Sequence, residues 1–210
     1  GYNALDATLG TGAIQSVVMG AYALTDLTSG AGNTAIGYRA GRYYSGYDNS
    51  TFIGNGAGAG AGSHYITAIG ANTCGDGTCG NGMVAVGISA AYRASGSGYS
   101  VCVGEYACGS GSYPLVTNTV AIGSSALAQS GTQTNSVYIG KDTNTSNTTT
   151  DKSIAIGYGA TVSGSNQLNI GNAIYGTNII PSSGTVAIGI GNSSPATLLH
   201  VGSSSVTAGS

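Results

Sequence analysis

Hydrophobic and polar positions along this chain follow a short cycle instead of the long stripes of amphipathic helices. Groups of three residues, bulky then small then bulky, end in a glycine. Thr34-Ala35-Ile36-Gly37, Val84-Ala85-Val86-Gly87 and Ile154-Ala155-Ile156-Gly157 are typical. A period of two with β-branched residues at its ends predicts a short strand. The glycine predicts a turn whose backbone conformation other residues dislike. These anchors are Gly20, Gly37, Gly54, Gly70, Gly87, Gly104, Gly123, Gly140, Gly157, Gly171 and Gly189, at spacings of 14 to 19 residues and most often 17. Three residues after the anchor Ala dominates, as at Ala23, Ala40, Ala57, Ala90, Ala107, Ala126 and Ala160. A second Gly- or Ser-rich turn follows, for example around Gly46, Gly96, Gly131 and Gly164.

One strand, a tight turn, a small-residue segment and another turn make one coil of a repeat protein. The pattern predicts an all-β fold, a parallel β-solenoid of about eleven or twelve coils over residues 1–192. With strands about 4.8 Å apart this is a rod roughly 50–60 Å long. The residues before the anchors, Ile36, Ile53, Ile69, Val86, Val103, Ile122, Ile139, Ile156, Ile170 and Ile188, are expected to form one buried ladder. Coils this narrow hold little core, and the Ala columns allow close backbone approach between chains. A homotrimer that shares its core is therefore expected, with end-to-end filaments as a further mode of assembly. Residues 193–210 fall outside the repeat and read as a C-terminal transition segment.

Composition changes this picture in two ways. Gly accounts for 38 of 210 residues and charged residues for 6%, so an ordinary Leu/Phe-rich globule is unavailable. Five Lys and Arg in total cannot form a nucleic-acid footprint. No apolar run is long enough for a transmembrane helix, so membrane insertion is not expected. The opening residues already look like the middle of a repeat, and the chain reads as a piece of something longer or a processed product.

Candidate chemistry is sparse. His64 and His200 are the two histidines and neither sits in a motif. No nucleophile-elbow sequence supports a Ser-His-Asp site. Glu105 is the sole Glu, and no carboxylate pair of the glycosidase kind is evident. A hexapeptide acyltransferase helix would need its six-residue pattern to continue past Gly37, where Tyr43-Tyr44-Ser45 stands instead. The ladder Thr34, Thr51, Thr67 has the look of an ice-binding surface, but Val84 ends it. No enzymatic activity, cofactor or metal is expected. The four cysteines are expected to pair locally, Cys74 with Cys79 and Cys102 with Cys108, which implies an oxidising exterior; zinc binding is the alternative, at spacings unlike the tight pairs of structural sites. Exposed Tyr beside Asp and Asn is the chemistry of sugar recognition, and Tyr43, Tyr44, Tyr47 and Asp48 are the candidate glycan contacts.

Asn33-Thr34-Ala35-Ile36-Gly37-Tyr38-Arg39-Ala40 resembles the Asn-Thr-Ala-Ile-Gly-Tyr-x-Ala repeats of bacteriophage tail-fibre shafts. Thr119-Val120-Ala121-Ile122-Gly123-Ser124-Ser125-Ala126 and Ser153-Ile154-Ala155-Ile156-Gly157-Tyr158-Gly159-Ala160 are similar to head repeats of trimeric autotransporter adhesins. Both families imply trimers of parallel left-handed β-rolls and a role in attachment to cells. The segment Gly184 to Val201, with Ile188-Gly189-Ile190-Gly191, Pro195 and Leu199-His200-Val201, resembles a segment of phage fibres that often precedes a self-cleaving intramolecular chaperone of the endosialidase type. The resemblance implies a virion tail fibre that is extracellular, structural and non-catalytic, with a host-surface glycan or protein receptor as partner. A trimeric cell-surface adhesin head, an extracellular filament subunit and a fibre-borne polysaccharide depolymerase are the alternatives.

Overall fold

The computed structural model describes residues 2–4, 15–43, 45–60, 62–76, 79–94, 98–109, 115–128, 131–177, 187–190 and 198–201. Among them there is no helix. The strands are β1 (Val17–Met19), β2 (Thr34–Ile36), β3 (Thr51–Ile53), β4 (Thr67–Ile69), β5 (Val84–Val86), β6 (Val101–Val103), β7 (Leu115–Thr117), β8 (Val120–Ile122) and β9 (Thr132–Thr134). They continue as β10 (Val137–Ile139), β11 (Asn144–Thr145), β12 (Thr149–Asp151), β13 (Ile154–Ile156), β14 (Thr161–Val162), β15 (Gln167–Ile170), β16 (Ile174–Thr177), β17 (Ala187–Ile190) and β18 (Leu199–Val201).

Ten of these, β1 to β6 with β8, β10, β13 and β15, stack in one parallel ladder. Every rung pairs equivalent columns, so Thr34 faces Thr51 and Ile36 faces Ile53. The result is a parallel β-solenoid of about eight full turns, closed by a shorter one into β15. This is fewer than the eleven or twelve coils expected. After Ile170 the chain doubles back: β15 pairs antiparallel with β16, and β16 antiparallel with β17. Gly189 is accordingly buried inside strand β17 and is not a turn anchor.

The anchors from Gly20 to Gly140 behave as the pattern demands. Gly20, Gly37, Gly54, Gly70, Gly87, Gly104, Gly123 and Gly140 have φ between 129° and 135°. A Cβ at Gly54 would lie 2.5 Å from the carbonyl oxygen of Gly70 in the next coil, and one at Gly140 would lie 2.6 Å from that of Gly157. Glycine is needed there both for its backbone angle and for the closeness of the neighbouring coil.

Two further columns also take positive φ. Two residues after the anchors, Tyr22, Arg39, Asn72, Ser89, Tyr106, Ser125 and Asp142 are left-handed. So are Gln15, Asn49, Tyr65, Tyr99, Asn118, Asn135 and Lys152, two residues before the strands, and Asn166, two residues before the Leu168 that continues their ladder. Non-glycine residues pay roughly 1–2 kcal/mol each for this conformation. Hydrogen bonds between coils offset the strain. The N–H of Arg39 donates to Ala21 (2.9 Å), that of Asn72 to Asn55 (2.8 Å) and that of Asp142 to Ser124 (3.0 Å), each one coil back. The N–H groups of Leu24, Cys74 and Leu127 donate forward, to Ala40, Ala90 and Thr143.

Alternation within each three-residue strand sends its middle residue to one face and its ends to the other. The middle residues Ala35, Phe52, Ala68, Ala85, Cys102, Ala121, Tyr138 and Ala155 are fully buried, as is the Ala column after the anchors. The expected buried ladder is therefore the wrong face. Ile36, Ile53, Val86, Val103 and Ile156 are only half-buried, and Ile69, Ile122, Ile139, Ile170 and Ile188 are exposed. A 17-residue coil is too narrow to hold two rows of Ile and Val, so it fills with small side chains and turns the branched ones outward. The Ala columns pack within one chain instead of between chains.

Candidate functional site

Twenty side chains at the ends of the ten rungs form the outer face of the ladder. They are Val, Ile, Leu, Thr and one Met, and none is charged. Ten rungs at about 4.8 Å make a strip roughly 43 Å long. Val17 and Met19 at one end are 55% and 60% exposed. A continuous apolar strip of this kind on a single chain marks an interaction surface.

The interior beside this face is closed by side-chain hydrogen bonds as well as by Ala. Along the ladder from β2 to β13 the residue before each ladder strand is buried, as at Asn33, Ser50, Ser100, Thr119, Ser136 and Ser153, and hydroxyls there relay between coils. The N–H of Thr119 donates to Ser100 Oγ (3.1 Å), that of Ser153 to Ser136 Oγ (3.1 Å) and that of Gln167 to Ser153 Oγ (3.1 Å). Burial pushes the Tyr138 hydroxyl up to about 12, although hydrogen bonding with Thr150 and Ser136 pulls it down. Phe52 fills space left by glycines: a Cβ at Gly41 would stand 2.9 Å from its ring, and one at Gly58 would strike the ring outright.

The cysteines stand as the local reading has them. Cys74 and Cys79 are at bonding distance with Cα atoms 5.8 Å apart, and Cys102 and Cys108 likewise at 5.9 Å. All four are fully buried, so the pairs serve as core filling as well as crosslinks.

The candidate glycan contacts do not form one surface. Tyr47 is fully buried; its hydroxyl donates to the Gly58 carbonyl (3.0 Å) and its ring packs against Phe52, with centroids 4.7 Å apart. It is a core residue and is withdrawn as a contact. Tyr44 lies outside the described residues. Tyr43 is exposed, under the guanidinium of Arg42 at 4.8 Å. Asp48 accepts from the N–H of Ala31 (2.9 Å) and lies 3.1 Å from His64 Nδ1. That pairing across coils was not apparent from residues 16 positions apart, although Asp48 and His64 share a column, each one residue before a left-handed turn residue, Asn49 or Tyr65. The side chain of His200 is not described.

Aromatic and basic side chains gather at the corner beyond β1 and β2. Tyr2 and Tyr22 meet edge to face at 5.6 Å, and Tyr22 and Tyr38 at 5.9 Å. Arg39 lies over Tyr38 at 4.9 Å, and Arg42 over Tyr22 at 5.0 Å. On the later coils an open groove of about 670 Å³ runs past Ser125, Ala128, Asp142, Asn144, Thr145, Ser146 and Thr161. Nearby, Asp151 accepts from Asn135 and Thr134 at 2.8 Å and pairs with Lys152 at 2.9 Å. The hydrogen bond from Asn135, then that from Lys152, lowers the Asp151 carboxyl to about 2. Among the described residues no three His, Cys, Asp or Glu side chains cluster in a way that would hold a metal ion. No family model, curated protein or solved structure matches the chain.

Proposed function

We propose that this chain is a shaft segment of an extracellular trimeric fibre, a virion tail fibre that carries attachment to the host surface, with left-handed coils and no catalytic role. The uncharged Val/Ile/Thr face of the ladder carries this reading. A strip roughly 43 Å long would leave ten rungs of branched side chains in water on a lone chain. Three copies around a common axis bury three such strips against one another. Burying a Val or Ile fully contributes roughly 1.5–3 kcal/mol relative to exposure; most of these side chains are already half-buried, so each adds about half of that on assembly, summed over three strips. Two buried cysteine pairs agree with an oxidising exterior. The choice of a tail fibre over a cellular adhesin rests on the likeness of Asn33 to Ala40 and of Gly184 to Val201 to phage-fibre segments.

Sedimentation equilibrium with negative-stain microscopy tests this. The expected result is a single species of three chains, seen as short rods. A second variant aims at the strip itself: Ile122→Lys places a charge mid-strip and is expected to give monomers or aggregates. A monodisperse monomer of the wild-type chain would overturn the proposal.

A further inference from the structure

Five cationic side chains occur in the chain, and three have carboxylate partners: Arg93 with Asp76 at 3.5 Å, Lys141 with Asp142 at 2.7 Å and Lys152 with Asp151 at 2.9 Å. The side chains of Arg39 and Arg42 form neither an ion pair nor a hydrogen bond among the described residues. Both belong to the same coil, and both lie against tyrosine rings. Asp26 is exposed in the column of Tyr43, one coil away, yet lies beyond ion-pair distance of either guanidinium.

The contacts run without a break. Arg39 covers Tyr38, Tyr38 meets Tyr22, Tyr22 lies under Arg42, and Arg42 covers Tyr43. Tyr38 and Tyr43 are still 41% and 56% exposed. The Nε atom of each arginine is shut off from water and has no hydrogen-bond partner among the described residues. A guanidinium has five N–H donors, and none of them is used among the described residues. Stacking on rings fixes the planar groups and lowers the entropy lost when an anion is bound.

We propose that this tyrosine–arginine stripe binds the carboxylates of an acidic glycan, a uronate- or sialate-type polysaccharide. The forks of Arg39 and Arg42 each match a carboxylate, and the exposed rings of Tyr38 and Tyr43 offer apolar faces to the sugar rings between acid groups. Two cations in a chain of net charge −2 are too few for a polyanion held by charge alone, which sets nucleic acid aside. The site goes beyond the fibre reading and shifts the glycan contact from Tyr47 and Asp48 to the neighbouring corner.

The test is isothermal titration of the full chain with a short oligogalacturonate, with a neutral galactan of equal length and with polyphosphate. Sedimentation and thermal melting of the same samples show assembly and folding separately, so failure here is distinguishable from failure of the fibre reading. Wild type is expected to bind the oligogalacturonate, more weakly in high salt, and to ignore the galactan. Arg39→Gln with Arg42→Gln is expected to weaken binding at least about tenfold. Arg39→Lys with Arg42→Lys keeps the charge, loses the fork and is expected to fall between the two. Tyr43→Ala, at an exposed ring, is expected to weaken binding a few fold without changing the melting point. Equal binding of galactan, equal or tighter binding of polyphosphate, unchanged affinity in the Gln pair, or no binding of oligogalacturonate by normally assembled protein each overturns the proposal.

Discussion

Early and late coils share one ladder and differ in almost everything else. From β1 to β6 each coil has a single main-ladder strand, and the chain curls back through left-handed residues at Leu24, Gly41, Gly58, Cys74, Ala91 and Cys108. Their interior is mainly apolar and sulfur-rich, with Leu24, Leu27, Tyr47, Phe52, Met83 and the two cysteine pairs, beside a few small polar side chains such as Ser50, Thr73 and Ser100. From β7 onward the coils gain strands on other sides. β7, β9 and β12 form a second parallel sheet, and β11 pairs with β14 in a third. Asn144 and Thr161 occupy the column of Leu24 and Cys74, but they are extended and start strands. The late interior holds Gln133, Thr143, Thr145, Thr150, Ser153 and Asn169. One shared ladder therefore tolerates two solutions for the rest of the coil: side-chain fill with crosslinks, or more backbone pairing with hydroxyls inside.

The shared part is expected to matter most. Gly54→Ala in the early region and Gly140→Ala in the late one each place a methyl about 2.5 Å from the next coil's backbone at φ near 130°. Each should cost about 4 kcal/mol or more and abolish a cooperative melt. Gly159→Ala, at φ 60° with open space around it, should cost only about 1–2 kcal/mol. If circular-dichroism melts showed Gly140→Ala to be mild, the late coils would rest on their added strands instead.

The next contrast lies in the interiors. Phe52→Ala empties an early coil whose glycines are shaped around the ring, and about 3–5 kcal/mol should be lost. Tyr138→Phe, in the same column of a late coil, removes only the hydroxyl bonded to Gln133 and should cost about 0.5–1.5 kcal/mol. Comparable denaturant midpoints for the two variants would erase the distinction drawn between apolar and polar interiors.

Reduction sharpens it further. Both cysteine pairs fall between Gly70 and Gly109, so a reductant should speed amide exchange there while residues 131–170 keep their protection. About 2 kcal/mol per crosslink corresponds to roughly a thirtyfold change in exchange. Uniform acceleration along the rod would mean that the coils open as one unit.

The smallest effect belongs to the late region alone. Asp151 titrates at about 2 when folded, against about 3.9 for an unperturbed Asp. Its contribution is present above the unfolded value and is lost as pH falls through the folded one. Asp151→Asn should therefore lower stability slightly at neutral pH and flatten the loss between pH about 4 and about 2. Parallel acid-titration curves for wild type and variant would remove Asp151 from the account.

Much of this fold was legible because repetition multiplies a weak signal. Register followed directly from the columns, since Val17, Thr34 and Thr51 pair as their positions require. The facing of the strands was not legible. A period of two separates two faces but does not say which is inside, and bulk argued for Ile36 and Ile53 where coil width decided for Ala35 and Ala68. The end of the ladder was hidden by its own anchor. Ile170-Gly171-Asn172-Ala173-Ile174 reads as one more repeat, yet Gly171 and Asn172 both have φ near 60° and form a hairpin turn. Tyr47 and Asp48 share a sequence neighbourhood with Tyr43, but the coil sends Tyr47 inward. The arginine stripe was missed because its members come from successive coils, and no single repeat shows Arg42 against Tyr22.

Pairing of like with like gives the molecule the properties of a ruler. Excising residues 34–50 would leave Val17 facing Thr51 and Met19 facing Ile53, with every later column still in line. The rod would shorten by one rung, about 4.8 Å, and no face would rotate. Reach can thus change in whole-coil steps by duplication or loss of a 17-residue unit, while the chemistry displayed at either end keeps its orientation.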